Sequence, residues 1–170
     1  MQYEKITYTL MGISNGAQGI RETLDIMSNL VVTYKSRQDM RELALYLTQD
    51  LPPKDYIGEI KRCHEFVRDH IRYVKDILEI ETIQSPSQTV RLGAGDCDDK
   101  STLVATLLAC LGHSSRFVAI GFAPGKFSHV LVQTKIKSEW VYVECTENVP
   151  LGWHPNGIRA KMIKHNDRIR

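Results

Sequence analysis

Cys97, His129 and Glu144 are the residues of this sequence best suited to nucleophilic chemistry as a group. Cys97 lies in "GAGDCDDK", between Asp96 and Asp98, where an apolar stretch begins. With Asp96 as a helix N-cap and Asp99 three residues later, the segment has capping-box chemistry. Cys97 is then the first helical residue. There, free backbone N–H groups and the positive end of the helix dipole favour a thiolate and can hold a developing oxyanion. The aspartates work against this, because negative charge beside sulfur disfavours the thiolate. A cationic partner is therefore needed, and that points to a histidine.

Six histidines are available: His64, His70, His113, His129, His154 and His165. His129 stands out because it opens a β-like run directly after the loop "APGKFS". A four-residue turn over 135–138 would pair Thr134 with Glu139 and place His129 directly across from Glu144. Neighbours on one face of a β-ribbon have Cβ atoms about 4.5–5.5 Å apart, within reach of an imidazole–carboxylate hydrogen bond. Glu144 would then orient the ring and leave its other nitrogen for Cys97. A slip of one residue would turn Glu144 to the opposite face. Spacing alone leaves a structural role open for each of the three. A metal site built from Cys97, His129 and Asp98 lacks a fourth ligand that can be named, so no metal and no organic cofactor is expected.

Positioning these residues takes helices followed by strands. Ile20, Leu24, Met27, Val31 and Tyr34 recur at helical spacing and predict a helix over 18–35. A second helix is expected over 38–49, stopped by "DLPPKD". Ile57, Ile60, Cys63, Val67, Ile71 and Val74 mark one face of a third, with Cys63 a buried small hydrophobe and His70 a boundary side chain. "ETIQSPSQTVRLGAG" reads as a polar loop, and 97–111 as a strongly apolar helix ended by Gly112. "SRFVAIGF", "SHVLVQTK" and "EWVYVECT" are β-branched and aromatic and predict three strands. "YEKITYTL", near the start, suits one more. The class is α+β, with the cysteine helix packed on a small antiparallel sheet.

The chain has 170 residues, enough for one domain over 1–170: a strand and helices over 1–50, a core over 55–155 and a basic tail over 156–170. Twenty-two basic and 20 acidic side chains leave a net charge of +2. That balance, with no basic stripe, argues against a nucleic-acid partner. "RAKMIKHNDRIR" reads as a solvated, loosely ordered tail. No apolar run is long enough to span a bilayer and the start has no signal-peptide layout, which predicts a cytoplasmic chain without a membrane partner. Cys63, Cys97, Cys110 and Cys145 show neither a CxxC pair nor zinc-finger spacing. His113 and His154 fall in turn-like segments and read as surface loop residues.

"QSPSQTVRLGAGDCDDKSTLVATLLACLGHSSRFVAIGF", "FSHVLVQTK" and "EWVYVECTENVPLGW" together resemble the transglutaminase-like superfamily of papain-fold cysteine enzymes, over roughly residues 55–155. "FVRDHIRYVKD" is similar to the helix that family carries before its nucleophile. The nearest likeness is to small transglutaminase-like proteins of phages and prophages. The resemblance implies a papain-like core, with Cys97 as nucleophile, His129 as general base and acid, and Glu144 as the orienting acid. Glutamate at that last position departs from the family, which usually has aspartate. The resemblance also implies an oxyanion side chain upstream of the cysteine. Gln84 and Gln88 are the candidates, each also readable as a loop residue bonding solvent. Trp140, on the same face as Glu144, either walls the site or fills the core. The implied activity is thioester-forming chemistry on an amide or isopeptide bond of a protein or peptide substrate, more by hydrolysis than by crosslinking. A phage origin would add phage structural proteins as partners, a virion-associated location, and a non-catalytic assembly module as the alternative.

Overall fold

The computed structural model describes residues 12–75 and 82–166. The strand expected in "YEKITYTL" lies outside them. Helix α1 (Gly16–Tyr34) buries Leu24, Met27 and Val31, the stripe its spacing predicts. Helix α2 (Gln38–Thr48) buries Met40 and Ala44, and α3 (Tyr56–His70) buries Ile60, Cys63 and Val67. All three close around α5 (Cys97–Cys110), whose Leu103, Val104, Ala105, Leu107 and Leu108 have no exposed surface. A helix buried on nearly every side belongs in the middle of a core, and this one has helices on one flank and a sheet on the other.

That sheet is antiparallel, in the order β5-β4-β3-β6, built from β3 (Ser115–Gly121), β4 (His129–Ile136), β5 (Glu139–Val143) and β6 (Ala160–His165). Val130 and Val132 of β4 join the main core under α5. Leu131 points the other way and packs with Val118 and Ile120. The α+β class and the packing of the cysteine helix on a small antiparallel sheet are as the sequence predicts.

Three local expectations are corrected. The segment expected to be a polar loop contains a helix, α4 (Pro86–Leu92), whose Ser85 cap accepts the Gln88 N–H, with Pro86 in the first turn and Gly93 left-handed at φ 59°. Seven residues are too few to show a helical period, although the cap, the proline and the closing glycine are all in the sequence. Helix α3 stops at His70 rather than running on to Val74, which is exposed. Ile71 turns extended, and β1 (Arg72–Tyr73) pairs in parallel with β2 (Ala94–Gly95), a pairing that periodicity along α3 cannot reveal. The buried Lys100 ammonium closes the end of α3 by donating to the carbonyls of Ile71 (2.5 Å) and Arg68 (3.4 Å). Finally, the supposed loose tail supplies β6, paired with β3 from Arg116↔His165 to Gly121↔Ala160. Its alternating half-buried and exposed residues are those of an edge strand.

Candidate active site

The start of α5 is built as a double lock. Asp96 Oδ1 accepts the N–H groups of Asp98 (2.9 Å) and Asp99 (3.1 Å), and Asp99 Oδ2 accepts the Asp96 N–H (3.2 Å), the capping box its sequence predicts. Asp99 also accepts from the Gln84 backbone N–H (2.7 Å) and side-chain amide (2.8 Å), tying the approach to α4 onto the helix. Gly95 is required here: a Cβ at that position would lie 2.6 Å from the Asp99 Cβ. The cap takes the Asp98 and Asp99 amides and leaves the Cys97 N–H, one of the first-turn donors, outside its bonds.

The Cys97 sulfur meets the sheet at one peptide unit. It accepts the N–H of Val130, the amide that joins Val130 to His129. One turn along α5, the Ser101 hydroxyl donates to the Val130 carbonyl at 3.1 Å. Helix and strand are thus pinned on both sides of one residue. The Cys97 thiol also donates weakly to Asp98 Oδ1 at 3.5 Å. Burial, followed by the charge of Asp98, pushes this thiol well above its ordinary value, and the Val130 N–H only partly offsets them. At rest Cys97 is a protonated thiol.

His129 opens β4, and its Nε2–H donates to Glu144 Oε2 at 2.6 Å. Glu144 is 1% exposed, and its second oxygen accepts from the Thr146 N–H (2.6 Å) and hydroxyl (2.7 Å). Burial alone would raise this carboxyl. The His129 hydrogen bond, the imidazolium charge and the two Thr146 bonds outweigh it and hold the group below the usual carboxylate range. The main chain is fixed as well, because buried His64 donates Nε2–H to the Glu144 carbonyl at 2.7 Å. Burial keeps His64 below its ordinary value, so it serves as a neutral donor.

The register behind the His129–Glu144 contact is not the expected one. Thr134 pairs with Val141 and Ile136 with Glu139, around a two-residue turn in which Lys137 takes φ 55°. Such a turn needs positive φ at its first central position, and "KS" carries no glycine or asparagine to announce it. The ladder is therefore shifted by two residues, and Glu144 is diagonal to His129 instead of opposite. An even shift keeps both side chains on the same face.

Other sequence candidates fall elsewhere. Gln84 commits its amide to Asp99 and, at 3.4 Å, to the Ala94 carbonyl, so its donors support the helix cap rather than an oxyanion. Gln88 is engaged through its side-chain oxygen by Arg91 along α4. Trp140 carries the Arg116 guanidinium 4.1 Å from its ring and meets His165 edge-on. It does not line the site. His113 is no free surface residue, since its Nε2 bonds Glu59 at 2.6 Å, whereas His154 is exposed. A cavity of about 270 Å³ opens beside His129 and Glu144, walled by Tyr73, Phe122, Trp153 and Pro155 with Thr146 and Glu147. Trp153, not Trp140, is the tryptophan here. These walls come from β1, the end of β3 and the loop after β5, and the β1–β2 pairing sets Tyr73 opposite Gly95, two residues before the cysteine. Among the described residues no group of three His, Cys, Asp or Glu forms a metal site, and no helix is long and apolar enough to cross a membrane.

Residues 41–145 match the transglutaminase-like superfamily model, more than half of the chain and a span that includes Cys97, His129 and Glu144. The chain belongs to the transglutaminase-like superfamily. No curated protein matches it in sequence. Its fold is similar to a "putative protease" from Parabacteroides distasonis (TM-score 0.57, 13% identity, 75% of this chain and 27% of that one). It is similar also to a "putative cysteine protease" from Cytophaga hutchinsonii (0.54, 16%, 78% and 46%). A third similar structure is EGTA-treated LapG of Legionella pneumophila (0.55, 16%, 80% and 78%). This transglutaminase-like chain thus spans about a quarter of the first protein and under half of the second.

Proposed function

We propose that the chain is a thiol-dependent acyl-transfer enzyme acting on an amide or isopeptide bond, with Cys97 as nucleophile, His129 as base and acid, and Glu144 orienting the imidazole. With Nε2 bound to Glu144, the Nδ1 of His129 is the nitrogen left to take the thiol proton. The thiolate attacks the carbonyl carbon, and the Cys97 N–H at the positive end of α5 supports the oxyanion. His129 returns its proton to the departing amine, leaving a thioester. Water then resolves the thioester, regenerating the thiol and releasing a carboxylate. An amine in its place would give a new amide. Hydrolysis is the preferred outcome, in keeping with the protease descriptions of the two bacterial proteins of similar fold.

The observation that carries this reading is the meeting of the Cys97 sulfur with the His129–Val130 amide, while the His129 ring is held 2.6 Å from a buried carboxylate. Because burial and Asp98 keep Cys97 protonated at rest, its reactivity must come through His129. Iodoacetamide labelling read by peptide mass spectrometry tests this. Cys97 is expected to label near neutral pH well ahead of Cys63, Cys110 and Cys145, and His129→Ala should remove that lead. Equal labelling of all four would instead favour the second reading, a non-catalytic assembly module of phage type. That reading draws its support from the same suppressed acidity of Cys97.

A further inference from the structure

Three of the five exposed aromatic residues among the described positions converge on one cavity: Tyr73 (47% exposed), Phe122 (47%) and Trp153 (38%). They come from β1, the end of β3 and the loop beyond β5, so no single element accounts for their meeting. At about 270 Å³ the space sits below the range of about 300–1,000 Å³ that whole small-molecule ligands occupy, and suits a single side chain. His129 forms part of its wall, so whatever fills it lies next to the acyl carbonyl in the reaction.

The unmatched charge at the wall of this space is negative. Glu147 lines the cavity and is exposed, and no ion pair or hydrogen bond among the described residues engages its carboxylate. The Tyr73 phenol is held up by burial and by the carboxylates of Asp96, Asp98 and Glu147. The one basic side chain in the wall, His129, is already bonded to Glu144. Aromatic faces attract cations, and a carboxylate at the mouth adds to that attraction. A neutral aromatic cage would take any apolar side chain, but this one repels acids and rewards bases.

We infer that the cavity beside His129 is a subsite for a cationic side chain of the substrate, lysine- or arginine-like, with Glu147 selecting the charge and Tyr73, Phe122 and Trp153 forming the aromatic walls. The inference rests on the acyl-transfer reading, since the subsite positions a side chain beside the bond that Cys97 attacks.

Matched chloromethyl ketones test it on the intact chain. N-acetyl-lysyl, N-acetyl-norleucyl and N-acetyl-glutamyl probes each alkylate Cys97, with the Sγ–carbon bond forming as chloride leaves, and they differ only in the side chain offered. The lysyl probe should react about fivefold faster than the norleucyl probe, and the glutamyl probe slowest. In Glu147→Gln the lysyl advantage should fall to about twofold, and in Glu147→Lys the order of the charged probes should reverse. Each rate is divided by the same variant's iodoacetamide rate, so a general change in Cys97 reactivity cancels. Lysyl and norleucyl probes reacting alike, or a lysyl advantage untouched by Glu147→Gln, would overturn the subsite while leaving the acyl-transfer reading intact. Loss of the Cys97 lead with iodoacetamide itself would remove both.

Discussion

Adding a methylene to the orienting acid changes which pairs across a β-ribbon can touch. Directly opposite Cβ atoms are about 4.5–5.5 Å apart, whereas diagonal neighbours on one face are about 7–8 Å apart. With the β4–β5 ladder two residues out from the direct pairing, a glutamate at 144 spans the diagonal to His129. An aspartate would fall short. The departure from the usual acid of the family therefore goes together with the register, and Glu144→Asp is expected to behave as a loss rather than a repair. Activity should drop roughly 10²–10⁴-fold, as for loss of an oriented general base, with Cys97 labelling by iodoacetamide slowed in parallel. The sequence showed the residue and its face but not this pairing, because "IKSE" conceals a tight turn that rests on Lys137 at positive φ. Glu144 also gives the fold a pH dependence. Its folded value lies below the ordinary 4.5, so the stability it contributes is present above about pH 4.5 and is lost as the pH falls through the depressed value. Urea unfolding of the wild type and Glu144→Gln should therefore differ most near neutrality and converge in acid.

Among the elements, the entrance to α5 is the most exacting. Its capping box was legible from "GDCDD" alone, since cap chemistry is local. What the sequence could not reveal is the use of Asp99 as a second anchor for Gln84, or the absence of space for any side chain at position 95. Gly95→Ala would force the Asp99 Cβ away and disturb the cap and the β1–β2 pairing together. A destabilisation of about 1–3 kcal/mol is expected, measurable by thermal or denaturant unfolding. The Cys97 labelling lead should shrink even in the fraction that remains folded. Helix α4 shows the opposite case: every punctuating residue was in view, but seven residues carry no period. Long amphipathic elements such as α1 and α3 were legible because burial repeats every third or fourth residue along them.

Across the whole molecule, the sheet is closed at one edge by a segment whose basic composition suggested solvent. β6 covers β3, and Asn166 behind it donates to the Ser115 hydroxyl at 3.0 Å in a buried contact. Lysines in an edge strand protect it against pairing with other molecules, which explains why a sheet strand looks like a tail. A chain ending at residue 158 should lose cooperative unfolding or aggregate, because the unpaired edge of β3 would be exposed. Size-exclusion chromatography and circular dichroism would register either outcome. The layers themselves meet at Val130, gripped through its N–H by the sulfur and through its carbonyl by Ser101. Sulfur and imidazole are therefore fastened to neighbouring atoms of one backbone segment. If the helical half shifts against the strands, they are carried along together, so their mutual aim should outlast looseness elsewhere and fail only when the two halves part.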